Sequence, residues 1–254
     1  MFPLKVIHTY YNTYAAWMFG DPHIVTLDGH QYTFNGKGEF VLAETLDGSF
    51  LLQGRMTEPR LSTDSEMMNN ISEPIRGTTF ESLAIKEGDN PIVQLEIVGH
   101  ELRVLANGER VDFSAVPEQR FANVTITDIG NSTYSVRFTS GVSVTAAKFN
   151  SILTNILITL PEHYAIRGLL GQFNGDPSDD LLPKNNPVPL PTNASNENIH
   201  YNFGLSCKFL LLSVYQTLSS SIAVYINACR DNQRSTSKSL HIWTEWRLGY
   251  LSSS

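Results

Sequence analysis

The 254-residue sequence predicts a mainly β fold, a two-sheet β-sandwich-like domain with long loops. Two observations carry this prediction. About a dozen short runs show the β-type alternation of apolar and polar residues, and turn-forming pairs such as Asp-Gly and Asn-Gly separate them. Apolar residues that recur with a helical period are almost absent, and the 41% of hydrophobic residues is enough to fill a core.

The domain is expected to begin at Trp17, because residues 1–16 are polar and tyrosine-rich without periodicity. Such a segment is typical of a linker or of the end of a preceding module. A hairpin follows, with predicted strands at residues 24–27 and 31–34. Residues 28–29, an Asp-Gly pair, form its turn, since this pair tolerates the positive φ that tight hairpins require.

Further strands are predicted along the rest of the domain. They cover residues 39–43, 49–53, 81–85, 92–97, 102–105, 110–113, 124–126, 134–138, 142–146 and 156–160.

Three segments interrupt the strands. Residues 56–79 are polar, contain a proline and alternate little, which predicts a long exposed loop. Residues 161–170 could form a single helical turn. Residues 183–198 are rich in proline and asparagine and are expected to wrap around the domain as a loop.

Charge and cysteine content limit the function classes. The net charge of −7 and the pI near 5.5 repel polyanions, so nucleic acid and anionic membranes are not expected partners. The N-terminus lacks the uninterrupted apolar segment of a signal peptide. The only two cysteines, Cys207 and Cys229, lie near the C-terminus and provide no disulfide framework, which leaves the compartment open.

Four Asn-x-Ser/Thr sequons bear on the compartment. Their asparagines are Asn70, Asn123, Asn131 and Asn193. Occupied sequons would place the chain in the secretory route, but an Asn-, Ser- and Thr-rich chain also contains some by chance. An intracellular β-sandwich binding protein therefore stays as an alternative.

The segment 171–180, Gly-Gln-Phe-Asn-Gly-Asp-Pro-Ser-Asp-Asp, is the strongest candidate for a metal site. Its oxygen-bearing side chains belong to Gln172, Asn174, Asp176, Ser178, Asp179 and Asp180. Closely spaced oxygens around a sharp bend suit Ca²⁺, which takes about six to eight oxygen ligands. An EF-hand is excluded because the glutamate at the twelfth position and the flanking helices are missing. The alternative interpretation is a solvated acidic turn.

Two separated motifs carry a resemblance to a known family. Residues 17–29, Trp-Met-Phe-Gly-Asp-Pro-His-Ile-Val-Thr-Leu-Asp-Gly, and residues 32–36, Tyr-Thr-Phe-Asn-Gly, form the first. Residues 168–175, Gly-Leu-Leu-Gly-Gln-Phe-Asn-Gly, with the acidic pair at 179–180, form the second. Together they resemble the von Willebrand factor type D domain, in the cysteine-poor form of mucin-4-like and sushi-domain-containing-protein-2-like cell-surface proteins. The resemblance covers about residues 17–204.

The resemblance implies an extracellular β-rich module with one structural calcium ion. Carried over by position, the implied side-chain ligands are Asp28, Asn174, Asp179 and Asp180, and Asp176 is implied through its backbone carbonyl.

Gln172 departs from the family pattern. It occupies a position at which the family usually has asparagine, and its longer amide could still reach the cation.

The resemblance also draws attention to Asp21, Pro22 and His23. In some family members the Gly-Asp-Pro-His element cleaves itself at the Asp-Pro bond and leaves two associated fragments. The Asp21 carboxyl could attack its own carbonyl, and a protonated Pro22 nitrogen would leave more readily, so acid should favour the step. The alternative is that residues 20–23 only start a strand, with His23 as a packed or capping residue.

Residues 207–254 do not continue the family pattern and are predicted to be a tail outside the domain of residues 17–206. One explanation is that the gene model reads into an intron. Residues 209–229 are uncharged but contain many polar residues, so a membrane-spanning helix is a second interpretation.

Two functional hypotheses follow. The first is a non-enzymatic, calcium-stabilised extracellular module of a mucin-like adhesion or assembly protein, with other extracellular modules as partners. The second is a self-processing module that cleaves once at Asp21-Pro22. Motifs of serine hydrolases, zinc proteases and phosphate-binding loops do not occur, and no small-molecule substrate is evident.

Overall fold

The computed structural model describes residues 15–58, 77–161 and 164–209. Within these ranges the chain forms fifteen strands, so the predicted mainly β class is confirmed. They are β1 Ala15–Phe19, β2 His23–Val25, β3 Gln31–Thr33, β4 Gly38–Thr45, β5 Phe50–Thr57, β6 Thr79–Glu87, β7 Val93–Val98, β8 Glu101–Ala106, β9 Glu109–Arg110, β10 Glu118–Phe121, β11 Val124–Gly130, β12 Thr133–Phe138, β13 Ser143–Phe149, β14 Ile152–Thr159 and β15 Ile166–Arg167. Short helical turns at Asn196–Asn198, Ile199–Phe203 and Gly204–Cys207 end the described part.

All strands pair antiparallel and belong to one curled sheet with two sections. The first section runs β10-β11-β12-β13-β14 and continues through β1, β2 and β3. The second runs β9-β8-β7-β6-β5-β4-β15. The predicted sandwich-like arrangement is therefore built from two parts of a continuous sheet.

Strand β14 joins the two sections because its free edge is shared between two partners. Leu153 pairs with Phe80 of β6, whereas the residues from Ile156 onward pair with β1. Between them Asn155 adopts a left-handed φ of 48°, and the register against β13 shifts there. A β-bulge at this point bends the strand and lets one edge serve both sections.

The main hydrophobic core contains residues of both sections, and a small cluster of Val41, Leu51, Ala84 and Ile92 is separate from it. Val136 and Ile156 of the first section and Leu83 and Leu95 of the second are each fully buried and belong to one cluster of contacting residues. Alternating burial along β11 and β12 shows how the period-2 pattern directs apolar side chains inward.

Several boundaries differ from expectation. Strand β1 starts at Ala15, which pairs with Thr159 of β14, so pairing begins two residues before Trp17. The helical turn predicted within 161–170 is wrong, because residues 166–167 pair with β4 as strand β15. The loop predicted at 56–79 is shorter at both ends, since β5 extends to Thr57 and β6 begins at Thr79; residues 59–76 lie outside the described ranges.

The C-terminal end of the described part packs onto the sheet. Cys207 is buried, Lys208 forms a β-bridge with Phe40, and the amide of Phe209 donates to the Glu39 carbonyl at 2.8 Å. Contacts with the domain thus continue three residues beyond residue 206. Of the tail considered above, residues 210–254 lie outside the described ranges, and the described ranges contain no helix long and apolar enough to cross a membrane.

Candidate metal centre

Backbone contacts bring the two motifs of the sequence together. Leaving β15, the chain follows β4, where the amide of Leu170 donates to the Leu42 carbonyl at 2.8 Å. The amide of Leu27 then donates to the Leu170 carbonyl at 3.3 Å, and the Tyr32 hydroxyl donates to the Leu169 carbonyl. These bonds hold the turn after β2 against the start of the acidic loop.

Asp180 is the buried centre of this junction, with 1% of its surface exposed. Its Oδ2 accepts a hydrogen bond from Thr26 Oγ1 at 2.5 Å, and its Oδ1 accepts one from the Gln172 amide at 3.0 Å. Gly171 lies directly against the carboxyl group: a Cβ at this position would sit 2.2 Å from Asp180 Oδ1. Only glycine leaves room for the carboxylate here.

Burial, together with the nearby carboxylates of Asp28 and Asp179, raises the pKa of Asp180 to about 7, although the hydrogen bonds from Thr26 and Gln172 act in the opposite direction. A charged carboxylate without a cation is thus unfavourable at this position. A bound cation would favour its ionised form.

Asp28 connects the two motifs directly. Its Oδ2 accepts hydrogen bonds from the amides of Asn174 and Gly175, both at 2.9 Å, across 146 and 147 residues of sequence. Gly175 has a φ of 84°, a left-handed conformation that glycine adopts without steric cost. The carboxylate therefore fixes the tip of the acidic loop over the turn after β2.

Inside the loop the predicted ligands contact one another. Asn174 donates from Nδ2 to Asp179 Oδ2 at 2.8 Å, and its Oδ1 accepts from the Asp176 amide at 2.9 Å. Gln172 donates from Nε2 to the Asp179 carbonyl at 3.2 Å. The structure thus gathers all six predicted ligand residues, Asp28, Gln172, Asn174, Asp176, Asp179 and Asp180, into one hydrogen-bonded group.

The donor set fits a hard cation. Asp179 Oδ1 is buried and has no hydrogen-bond partner, which is costly for a carboxylate unless a cation meets it. In the described part of the chain, no ion pair joins Asp28, Asp176, Asp179 or Asp180 to Lys or Arg. Among the described residues no three His, Cys, Asp or Glu side chains stand close enough to form a metal cluster, so amide and carbonyl oxygens would have to complete the shell.

Thr26 is the member of the site that the sequence analysis missed. It is fully buried and supplies the short hydrogen bond to Asp180, while its Oγ1 also accepts from the His30 amide at 2.8 Å. Its position two residues before Asp28 was the available signal.

Beside the loop, a cleft of about 790 Å³ is lined by residues that include Arg167, Lys184 and Phe173.

The residues of the candidate cleavage element lie at the other end of β2. Asp21, which is exposed, and Pro22, which is buried, lie in the turn between β1 and β2, and His23 is the first residue of β2. The His23 ring lies 2.9 Å from Thr33 Oγ1 through Nδ1 and 5.3 Å from the Phe19 ring. The candidate cleavage element is therefore separate from the acidic loop, because Asp21 precedes β2 whereas Asp28 follows it.

Three sequon asparagines lie exposed in turns or loops: Asn123 between β10 and β11, Asn131 between β11 and β12, and Asn193 in the loop before the helical turns. Asn70 lies outside the described ranges.

Comparisons with known proteins agree with the resemblance. The family model of the von Willebrand factor type D domain matches residues 16–187. Human mucin-4 is 34% identical over 211 residues, which covers 78% of this chain and 4% of that protein. Human sushi domain-containing protein 2 is 29% identical over 197 residues, 73% of this chain and 23% of that protein. Protein mesh of Bombyx mori is 32% identical over 184 residues, 66% of this chain and 11% of that protein. The chain thus spans less than a quarter of each of these relatives.

Proposed function

The chain belongs to the von Willebrand factor type D domain family, and we propose that it is a non-enzymatic extracellular module of a mucin-like adhesion or assembly protein, stabilised by one structural Ca²⁺. Its partners would be other extracellular modules or proteins. The observation that carries the calcium assignment is the buried, unpartnered Asp179 Oδ1 among four carboxylates that form no ion pair with any Lys or Arg of the described residues.

The cation would act as a cross-link between distant parts of the chain. Bound Ca²⁺ would neutralise carboxylates with which no Lys or Arg of the described ranges forms an ion pair. Asp28 comes from the turn after β2, whereas Asn174, Asp179 and Asp180 come from the loop after β15. Holding both through one ion would fix the edge of the sheet beside β4 and leave the outer faces free for contacts with neighbouring modules.

Calcium titration by calorimetry tests the assignment. The chain is expected to bind one Ca²⁺, and Asp179→Asn is expected to weaken binding, since it removes the charge next to the unpartnered oxygen. Asp89→Asn is the matched control, because Asp89 is an exposed turn residue between β6 and β7. Equal affinity for both variants would contradict the site.

The extracellular assignment is supported by the exposure of three sequons at turns and by the names of the relatives, two of which are mucins or sushi-domain proteins. Expression through the secretory pathway of a eukaryotic host should yield chain with N-glycans on Asn123, Asn131 and Asn193. Unmodified asparagines together with calcium-independent melting would instead support an intracellular β-sandwich binding protein.

A second candidate function is self-processing at Asp21-Pro22. The supporting observation is the strand pairing around this turn: β1 pairs with β14 as well as with β2, and Ala16 and Met18 are fully buried. A cut between β1 and β2 would therefore leave the N-terminal fragment attached to the domain.

In the proposed step an oxygen of the Asp21 carboxylate forms a bond to its own main-chain carbonyl carbon. The bond to the Pro22 nitrogen breaks, and this nitrogen leaves with a proton taken from the acidic solvent. Water then opens the cyclic anhydride, so that Asp21 ends one fragment and Pro22 begins the other.

Intact mass and denaturing gels after incubation at mildly acidic pH test this step. Wild type is expected to give two fragments that co-elute in native buffer, and Asp21→Asn to stay whole. Asp28→Asn is the control for loss of a carboxylate elsewhere in the same motif. A wild-type chain that stays intact and behaves like Asp21→Asn would dispose of the self-processing function without affecting the calcium assignment.

A further inference from the structure

A second cleft, of about 580 Å³, lies between the two sections of the sheet and far along the chain from the acidic loop. One wall is formed by β8 and by the segment after β9, and the other by the start of β12. Its volume falls in the range of about 300–1,000 Å³ that is usual for small-ligand sites.

The lining combines aromatic faces with charged hydrogen-bonding groups. Phe113 and Tyr134 lie with ring centroids 5.2 Å apart and an interplanar angle of 42°. Glu101 accepts from Arg103 Nε at 3.2 Å and from Arg110 Nη2. Within the described ranges, no other residue accepts a hydrogen bond from either guanidinium, so further donors remain for a ligand.

This combination is the chemistry of carbohydrate recognition. The apolar faces of sugar rings pack on aromatic side chains, and their hydroxyl and amide groups exchange hydrogen bonds with carboxylates and guanidinium groups. The phenol of Tyr134 carries its proton at neutral pH and can donate a hydrogen bond, and burial raises its pKa further above the ordinary value of 10.0.

A sequon stands at the rim of the cleft. Asn131 and Ser132 are the two central residues of the β11–β12 turn, with φ values of 51° and 53°, and Ser132 lines the cleft. The Lys148 amide donates to the Ser132 carbonyl at 2.8 Å and holds the turn against β13. A glycan on Asn131 thus starts one residue, about 3.8 Å of backbone, from a residue of the cleft wall.

We propose that the cleft lined by Phe113 and Tyr134 is occupied by the N-linked glycan of Asn131, whose first sugar residues pack on these rings. Covalent attachment at the rim gives the sugars an effective concentration in the millimolar range, so weak contacts are enough for occupancy. The glycan then bridges β12 and β8, which lie two strands from β14 and from β6, the strands at the junction of the two sections. This proposal rests on the proposed extracellular function, because only the secretory route supplies the glycan.

Asn123 provides a matched control. It lies in the β10–β11 turn at the other end of β11, a strand of 7 residues, and does not line the cleft. The full chain is secreted from a eukaryotic host, and enzymatic release of N-glycans from the folded protein is followed at each asparagine by glycopeptide mass spectrometry. Release at Asn131 is expected to be slower than at Asn123 by about tenfold or more, since the innermost sugar is covered.

Substitutions in the cleft should remove this difference. Phe113→Leu keeps an apolar side chain without a ring and should bring release at Asn131 to the rate at Asn123. Arg110→Gln, on a side chain that is 62% exposed, is a second variant that folding should tolerate.

Melting temperatures give an independent measure. Asn131→Asp suits the left-handed turn and removes the glycan; it should lower Tm by about 2–4 °C in wild type and leave Tm unchanged in Phe113→Leu. Asn123→Asp should have the same effect in both backgrounds.

Four results would overturn the proposal. Glycan on Asn123 but none on Asn131 would refute it and leave the extracellular function standing. No glycan at any sequon would also refute it, and together with calcium-independent melting would refute the extracellular function as well. Equal release rates at the two asparagines, or an effect of Asn131→Asp that does not depend on Phe113, would show that the glycan does not enter the cleft.

Discussion

Replacing Gly171 by alanine should disrupt the acidic loop, and Gly175→Ala provides its matched comparison. Both glycines have left-handed φ values, 78° and 84°. A Cβ at Gly175 would meet nothing within 4 Å, whereas a Cβ at Gly171 would lie 2.2 Å from Asp180 Oδ1. The two substitutions therefore share a backbone penalty and differ in the contact with the buried carboxyl group.

The magnitudes follow from that difference. A left-handed alanine costs about 1–2 kcal/mol in either variant. In Gly171→Ala the Asp180 carboxyl must also move, which breaks its buried hydrogen bonds to Thr26 and to the Gln172 amide at a further cost of about 2–4 kcal/mol. We expect Gly175→Ala to lose about 1–2 kcal/mol of unfolding free energy and Gly171→Ala about 3–6 kcal/mol.

Urea unfolding followed by far-UV circular dichroism, in calcium and in chelator, measures both values. Gly171→Ala should also show a smaller calcium-dependent gain than Gly175→Ala, because the displaced carboxyl belongs to the site. Two variants that agree within about 0.5 kcal/mol would refute the packing of Asp180 against Gly171.

Three further predictions concern buried ionisable groups. Burial raises the pKa of the Cys207 thiol to about 12, which makes the thiol unreactive in the folded chain. In a Cys229→Ser variant at pH 8, maleimide should therefore label Cys207 orders of magnitude faster in urea than in native buffer. Equal labelling rates would contradict the burial of Cys207. Arg167 Nε donates to the buried carboxylate of Glu44 at 2.7 Å. Arg167→Met removes the cation and leaves this carboxylate buried, so it should destabilise the domain by about 3 kcal/mol, and Glu44→Gln should destabilise it by less. The denaturant midpoints of the two variants measure this order. Burial raises the pKa of Glu96 above its ordinary 4.5, so just above pH 4.5 the folded state binds this proton more tightly than the unfolded state does. The stability of the domain should therefore fall as pH rises through this interval. Thermal melts over a pH series should show this fall for wild type and not for Glu96→Gln.

The strands that sequence predicted well are those with strong local alternation. Residues 81–85, 92–97 and 134–138 all lie within observed strands or start one residue early. Some of the apolar residues in these runs are β-branched or aromatic, and they face the core. The local preference of the sequence for strand conformation therefore agrees with the burial of these side chains.

The missed elements depend on partners far away in sequence. Ala15 and Ala16 carry little β preference and become strand because they pair with Thr159 and Ile158. Residues 166–167 look like part of a helical turn, yet pairing with β4 decides their conformation.

The candidate site shows the same division. Asp28 and the loop from Gln172 to Asp180 could be nominated from the oxygen-rich composition and the family resemblance. For Thr26 the only signal was its position two residues before Asp28, because its role is a hydrogen bond across 154 residues of sequence that forms only when the two motifs meet. Its hydroxyl in an apolar run indicates a strand as readily as a buried donor.

Thermal unfolding of the chain with calcium and with chelator tests the central claim most directly. If one Ca²⁺ joins Asp28 to the acidic loop, saturating calcium should raise Tm by several degrees, since a ligand at a hundred times its Kd stabilises the folded state by about 2.7 kcal/mol. Asp28→Asn should remove most of this shift while the exposed Asp89→Asn keeps it. Identical midpoints of the wild-type chain in calcium and in chelator would contradict the calcium site.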